Sequence, residues 1–267
     1  MDAFYEQLDE TRFRASEATT GPWAPGLQHG GPPSALLVRA LERLPGLRPA
    51  PDGGPTPGRL VRVTTDFLSP VPVADVEVRA RVLRDGRQVQ LLEAELVAAG
   101  RTVLRSTGWR VRTLAPGDTP AVAVGAHHDV APLPPSTAAP VPGFSFPYAK
   151  NVEWRFAVGD PLTPGPATAW ARLRVPLVAG EQVSPVQQVI AVTDSGSGVS
   201  AALSWDDWSF VNTELSVHLA RVPRADWVCL DARTHLEPDG TGLARTTLHD
   251  LDGWFGETLQ SLVVSPR

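Results

Sequence analysis

Three pairs of landmarks recur in the same order in the two halves of this chain, and that repetition limits the possible folds more than any other feature. Val71-Pro72 and Asp75 return as Val222-Pro223 and Asp226, 151 positions later; Asp85-Gly86 returns as Asp239-Gly240, 154 positions later; Ala99-Gly100 is answered by Asp252-Gly253. Aligned turns with drifts of a few residues are the mark of an internal duplication. Between the halves, residues 114–147 hold eight of the 27 prolines and almost no periodic apolar pattern, as an irregular or flexible connection does. This stretch is longer than ordinary connections inside a compact domain, so a linker between two similar units is the economical reading. The expected organisation is an N-terminal unit over 1–113, a connector over 114–147 and a C-terminal unit over 148–267.

Each half has the same grammar. Residues 33–44 combine good helix formers with leucines at 37, 41 and 44, the spacing of one helical face, and Pro45-Gly46 then ends the run. From Leu60 the pattern turns to alternation, with Val61 and Val63, then Val76, Val78, Ala80 and Val82, and further strands over 89–97 and 102–111. In the second half a helix over 185–194 precedes strands over 210–220, 227–234, 242–249 and 258–264. A helix followed by a run of long antiparallel strands, twice over, predicts an α+β layer architecture with each helix lying on a sheet, which is the hot-dog pattern.

Composition narrows the function. A net charge of -5 and a pI near 5.7 do not provide the basic surface that nucleic acid or an anionic membrane demands. No stretch reaches the ~18 uncharged apolar residues of a membrane span, and the start, Met1 to Glu6, has no basic segment or apolar core of a secretory signal. A cytoplasmic protein is the expectation. The single cysteine, Cys229, lies in Trp227-Val228-Cys229-Leu230 and reads as a small hydrophobe on a buried strand.

Two places carry candidate chemistry. At Gln28-His29-Gly30-Gly31-Pro32-Pro33, two glycines precede a helix, so backbone N–H groups can face an anion or oxyanion, and His29 can donate beside them; a turn that needs glycine for its geometry has the same look. Trp23, close by, is a candidate pocket wall. Asp194 ends the apolar helix of Val186, Val189, Ile190 and Ala191, and a carboxylate there either terminates the helix locally or serves as a general base held by neutral donors. Such donors exist at Asn212 and Thr213 and at Gln260, an amide among aliphatic residues on a core strand.

Competing chemistries fail on the residues. No Gly-x-Ser-x-Gly occurs, so the nucleophile of a serine hydrolase elbow is missing. Gly196-Ser197-Gly198-Val199-Ser200-Ala201 matches a dinucleotide fingerprint formally, but it follows a helix instead of a strand and reads as a flexible turn. His127-His128-Asp129 has no spaced partners for a metal, and His218, His235 and His249 read as surface or structural.

The order Gly21-Pro22-Trp23, His29-Gly30-Gly31-Pro32-Pro33, Asp66-Phe67-Leu68, Val71-Pro72, Asp194, Ser216, Arg221, Pro223 and Gln260-Ser261-Leu262 resembles the acyl-CoA thioesterase II family and its actinobacterial relatives over nearly the whole chain. The resemblance implies a double hot-dog fold and a water-activating set of an aspartate, a threonine and a glutamine. The aspartate falls on Asp194 and the glutamine on Gln260. The middle member falls on Asn212 when counted back from Ser216 and Arg221, and on Thr213 when matched by residue type. The resemblance further implies hydrolysis of a fatty or other acyl thioester, on coenzyme A or an acyl-carrier protein. Backbone N–H groups near Gly30-Gly31 would stabilise the oxyanion, with no cofactor or metal. A hot-dog protein that binds or rearranges an acyl intermediate without hydrolysing it is the alternative, and exposed sheet edges make a homodimer plausible.

Overall fold

A computed structural model describes residues 3–49, 54, 56–115, 118, 129–136, 141, 143–224 and 226–267. A short hairpin, β1 (Tyr5–Gln7) and β2 (Arg12–Ala15), leads into helix α1 (Gly31–Arg43). Strands β3 (Gly58–Phe67), β4 (Asp75–Arg84), β5 (Val89–Ala98) and β6 (Arg101–Arg112) follow. After a single helical turn, α2 (Pro147–Lys150), the order repeats with β7 (Val152–Val158), β8 (Ala167–Leu173) and helix α3 (Pro185–Thr193). The remainder is a short turn of helix α4 (Gly196–Val199), then β9 (Trp208–Asn212), β10 (Glu214–Leu219), β11 (Val228–Leu236), β12 (Thr241–Asp250) and β13 (Gly253–Pro266).

The strands form one antiparallel sheet whose two halves have matching order: β1-β2-β4-β5-β6-β3 in the first and β7-β8-β11-β12-β13-β10 in the second, each read from its outer edge. The halves join through β3 and β10, with Val63 opposite Val217 and Thr64 opposite Ser216. The repeated landmarks occupy equivalent turns: β3–β4 and β10–β11, β4–β5 and β11–β12, β5–β6 and β12–β13. Ala99 and Gly100 have φ of 48° and 76°, the left-handed pair that a two-residue hairpin turn needs.

Local chemistry explains both helices. α1 opens with Pro32 and Pro33, whose fixed φ suits a first turn, and buries Leu36, Leu37, Val38 and Leu41. α3 starts in a capping box: Ser184 Oγ accepts the Gln187 N–H at 3.1 Å while Gln187 Oε1 accepts the Ser184 N–H at 3.4 Å. Its residues from Val186 to Thr193 are all buried, because it lies between the sheet and α1. Glycine at 31 is required by the contact between the helices, since a Cβ there would collide with the carbonyl oxygen of Ala191.

The two helices run antiparallel, so each end of one meets the opposite end of the other. At one end Glu42 of α1 accepts hydrogen bonds from Ser184 Oγ at 2.8 Å and Gln187 Nε2 at 2.6 Å. Arg110 caps α1 there, donating to Leu41 O at 2.9 Å, Pro45 O at 2.7 Å and Gln90 Oε1 at 2.8 Å. The other end holds Asp194 and His29, 3.3 Å apart.

The structure departs from the sequence reading in several places. β1, β2, β7 and β8 were not anticipated. The single strand expected over 210–220 is two strands interrupted at Thr213, and the expected flexible turn at 196–201 begins as the α4 turn, where Gly196, Ser197 and Val199 are buried. In the proline-rich stretch, Ala131 O accepts from Trp170 Nε1 at 3.0 Å and Pro134 O accepts from Arg155 at 2.9 Å, so these residues lie on the sheet. His127 and His128 lie outside the described residues. Cys229 is fully buried on β11, and His249 is buried while His218 and His235 are exposed. No helix among the described residues is long and apolar enough to cross a membrane.

Candidate active site

Asp194 is the C-cap residue of α3, where helix carbonyls point and a negative charge is disfavoured unless donors compensate. It is 7 % exposed, and its donors come from distant strands. Asn212 Nδ2 donates to Asp194 Oδ1 at 2.9 Å and to Glu214 O at 3.2 Å. Gln260 is fully buried; its Nε2 donates to the Asp194 backbone oxygen at 3.1 Å and approaches Oδ1 at 3.5 Å, while its Oε1 accepts the Ser197 N–H at 3.0 Å. One amide therefore ties both sides of the α3–α4 turn to β13.

The structure separates the two candidates for the middle position. Thr213 is exposed and its hydroxyl donates to Ser261 O at 3.4 Å, away from Asp194. A bulge explains this. β13 pairs Leu262 with Asn212 but Leu259 with Ser216, leaving one extra residue on the β9–β10 side. Leu215 and Val217 face the core, so simple alternation would turn Thr213 inward; the bulge turns Asn212 inward instead.

From the N-terminal half comes His29, also buried. Its Nδ1 accepts the Gly31 N–H at 3.1 Å and lies 3.3 Å from Asp194 Oδ2. A ring nitrogen whose lone pair takes the Gly31 proton cannot at the same time donate to the carboxylate. Burial holds the imidazole pKa below its ordinary value, with the Asp194 charge acting in the opposite direction, so the ring stays neutral. Tyr148 stacks on it at 3.8 Å, and the Tyr148 hydroxyl donates to Ala191 O at 2.8 Å. Burial raises the phenol pKa, which keeps that donor protonated.

The glycines have packing roles as well. A Cβ on Gly30 would run into the Phe67 ring and come within 2.7 Å of Asp194 Oδ2. Because Gly31 N–H is taken by His29 and Pro32 and Pro33 have none, Gly30 carries the remaining N–H at this helix start.

A cavity of about 300 Å³ opens beside this cluster. Trp23, His29, Asp194 and Asn212 line it, as do Phe144 and Phe146. Gln260, Thr213, Gly30 and Gly31 do not. Ser195, Ser197 and Trp205, also on the wall, and Tyr148 behind His29 were missed in the sequence, as were both phenylalanines. The alternation Phe144-x-Phe146-x-Tyr148 at the end of the proline-rich stretch was the available signal. A larger, open groove of about 870 Å³ crosses the outer face of the sheet near Trp109, His218 and Leu259, but it contains no carboxylate held by amides. Among the described residues no cluster of three His, Cys, Asp or Glu side chains is arranged to hold a metal ion.

Two hot-dog units fused through β3 and β10, with a carboxylate-and-amide cluster at one end of their helix pair, define a double hot-dog enzyme. The profile of the acyl-CoA thioesterase N-terminal domain matches residues 19–111 and that of the C-terminal domain matches residues 127–264, so the chain belongs to the acyl-CoA thioesterase family and is a thioester hydrolase. Solved structures agree on the fold. A conserved hot-dog protein of unknown function from Alicyclobacillus acidocaldarius is 17 % identical, with 99 % of this chain and 97 % of that one covered and a TM-score of 0.71. The tesB protein of Mycobacterium avium subspecies paratuberculosis is 17 % identical, with 98 % and 96 % covered and a TM-score of 0.63. An acyl-CoA thioesterase II from Mycobacterium marinum is 16 % identical, with 98 % and 95 % covered and a TM-score of 0.62. No curated protein gives a significant match to the sequence.

Proposed function

We propose that Asp194 activates a water molecule for hydrolysis of an acyl thioester carried on coenzyme A. The observation that carries this reading is the buried Asp194 carboxylate on the cavity wall, with Asn212 Nδ2 at 2.9 Å. Asp194 Oδ2 takes a proton from water as the water oxygen bonds to the thioester carbonyl carbon. Asn212 fixes the other carboxylate oxygen and so sets the direction of the accepting lone pair. The carbonyl oxygen becomes an oxyanion, which a backbone N–H can stabilise by about 3 kcal/mol when well placed; the N–H left for this at the start of α1 is that of Gly30, which adjoins His29 on the wall without lining the cavity itself. Collapse of this intermediate breaks the C–S bond; the sulfur leaves and takes up the proton held on Asp194, giving a carboxylic acid and a free thiol. Gln260 acts through the α3–α4 turn as a positioning residue, without reaching the water.

Thiol release from acyl-CoA is the test, beside Asp194→Asn. The variant keeps the shape of the side chain and loses the base, so turnover should fall by about 100-fold or more. Equal turnover in the two proteins would remove Asp194 from this role. Tight binding of acyl-CoA with no thiol release by the wild type would replace hydrolysis with binding.

A further inference from the structure

The polar lining of the cavity gathers around Asp194, where Asn212 and His29 touch the carboxylate and Ser195 adjoins it. Ser197 and the exposed Asp206 and Arg267 add further polar groups, and the remaining wall, Trp23, Phe144, Phe146, Leu162 and Trp205, is apolar and rich in rings. Trp23 and Trp205 stand 5.8 Å apart and tilted by 49°, and Phe144 and Phe146 stand 6.0 Å apart and tilted by 42°. The ring-lined part of the wall offers no partners to the two amides of a pantetheine arm, whereas an acyl group needs none there.

The rings are fixed in place. Phe144 meets Trp154 edge to face at 5.1 Å and Phe156 at 5.7 Å, both on β7, and Trp205 meets Phe210 edge to face at 5.0 Å. Leu162, between β7 and β8, lies against the Gly143 backbone so closely that a Cβ on that glycine would sit 2.9 Å from Leu162 Cδ2. Gly143 has φ of 79°, a conformation that glycine adopts freely, so the chain turns under Leu162, which stands at the solvent edge of that side. Side chains locked by edge-to-face neighbours do not swing aside at small cost.

Volume then sets a limit. A cavity of about 300 Å³ stands at the small end of the ~300–1,000 Å³ of ligand pockets, which favours a compact acyl group over a long one. Resting on the hydrolytic reading above, we propose that this enzyme selects compact, ring-bearing acyl groups, aroyl or arylacetyl thioesters, and that Phe144 and Leu162 stand against long alkyl chains. A ring gains edge-to-face contacts on Trp23, Trp205 and Phe146 that a flexible alkyl chain of equal size does not make. A long chain would leave its distal carbons in water and lose the gain of burying them.

The experiment compares kcat/KM for benzoyl-, phenylacetyl-, hexanoyl- and palmitoyl-CoA. The aryl substrates should exceed hexanoyl-CoA about 3- to 10-fold and palmitoyl-CoA by about 100-fold. Phe144→Ala should raise the palmitoyl-to-benzoyl ratio about 10-fold or more, and Leu162→Ala, at a position 63 % exposed and so safe for folding, should raise it in the same direction. Palmitoyl-CoA within about threefold of the aryl substrates in the wild type, or ratios unmoved in both variants, overturns the proposal while leaving hydrolysis intact. Absence of thiol release from all four substrates would overturn the hydrolytic reading itself.

Discussion

Replacing Gln260 by leucine tests whether this amide works as a brace or acts on the reaction directly. The side chain is fully buried opposite Ala244, and leucine is close to it in volume, so the change is mainly polar. It removes the acceptor of the Ser197 N–H at 3.0 Å and the donor to Asp194 O at 3.1 Å, leaving both backbone groups buried without partners. Each such group costs about 1–3 kcal/mol, and the better burial of leucine returns about 1, for a net loss of about 1–5 kcal/mol. For a chain of this size that is a drop of roughly 2–20 °C in melting temperature. The freed α3–α4 turn would also let the Asp194 carboxylate drift, and a displacement of about 1 Å at a reacting group costs about 100-fold in rate. Urea titration and thiol-release kinetics on the same preparation measure both effects, which should appear together. An unfolding midpoint at the wild-type value combined with lost turnover would refute the brace, because the amide would then be acting on water or substrate alone.

Three further outcomes follow from the geometry. Asn212→Leu removes a hydrogen bond to a charged oxygen and should lower kcat/KM by about 10- to 100-fold, whereas Thr213→Val, on the exposed side of the bulge, should leave kcat/KM within about twofold; a larger loss in Thr213→Val would reverse the assignment. Burial lowers the His29 pKa below its ordinary 6.5, so as pH falls the unfolded chain takes up this proton before the folded chain does. Stability from the neutral ring is therefore present above about pH 6.5 and lost as pH falls toward the depressed folded value, and the difference in unfolding free energy between wild type and His29→Asn should shrink over that window; a difference that grows on acidification would contradict neutral His29. Gly31→Ala drives a methyl into Ala191 O and should cost about 1–3 kcal/mol by forcing α1 and α3 apart, read as a lowered melting temperature.

Much of the fold was legible because turns have strict chemistry. Asp-Gly and Ala-Gly pairs announce hairpins at fixed offsets, and those offsets expose the duplication without any knowledge of contacts. β1 and β2 escaped notice because they are three and four residues long, too short for alternation to register. β7 was readable, since Val152, Trp154, Phe156 and Val158 alternate, but it stands directly after the proline-rich stretch and was masked by it. Asp194 and Gln260 were nameable from residue type and the resemblance, yet neither fixes a direction. The choice between Asn212 and Thr213 depends on one extra residue in a strand, which alternation cannot detect because a bulge breaks the very period it counts. Phe144 and Phe146 were hidden by composition, as proline content says a segment is irregular and nothing about what it covers.

In a pair of identical subunits, every substitution at one end of the helix pair would be copied to the other. Fusing the two units into one chain lifts that constraint, and the ends here have gone different ways. Four residues past matched Asp-Gly turns, Gln90 faces Arg110 in one half and Ala244 faces Gln260 in the other. Arg110 closes its helix end with a charged cap, while the smaller Gln260 holds the opposite end and leaves room for a cavity. One terminus works as a rivet and the other as an opening, so changes that loosen or reshape the opening need not weaken the rivet. A chain built this way can explore new acyl groups at one end while its fold is secured at the other.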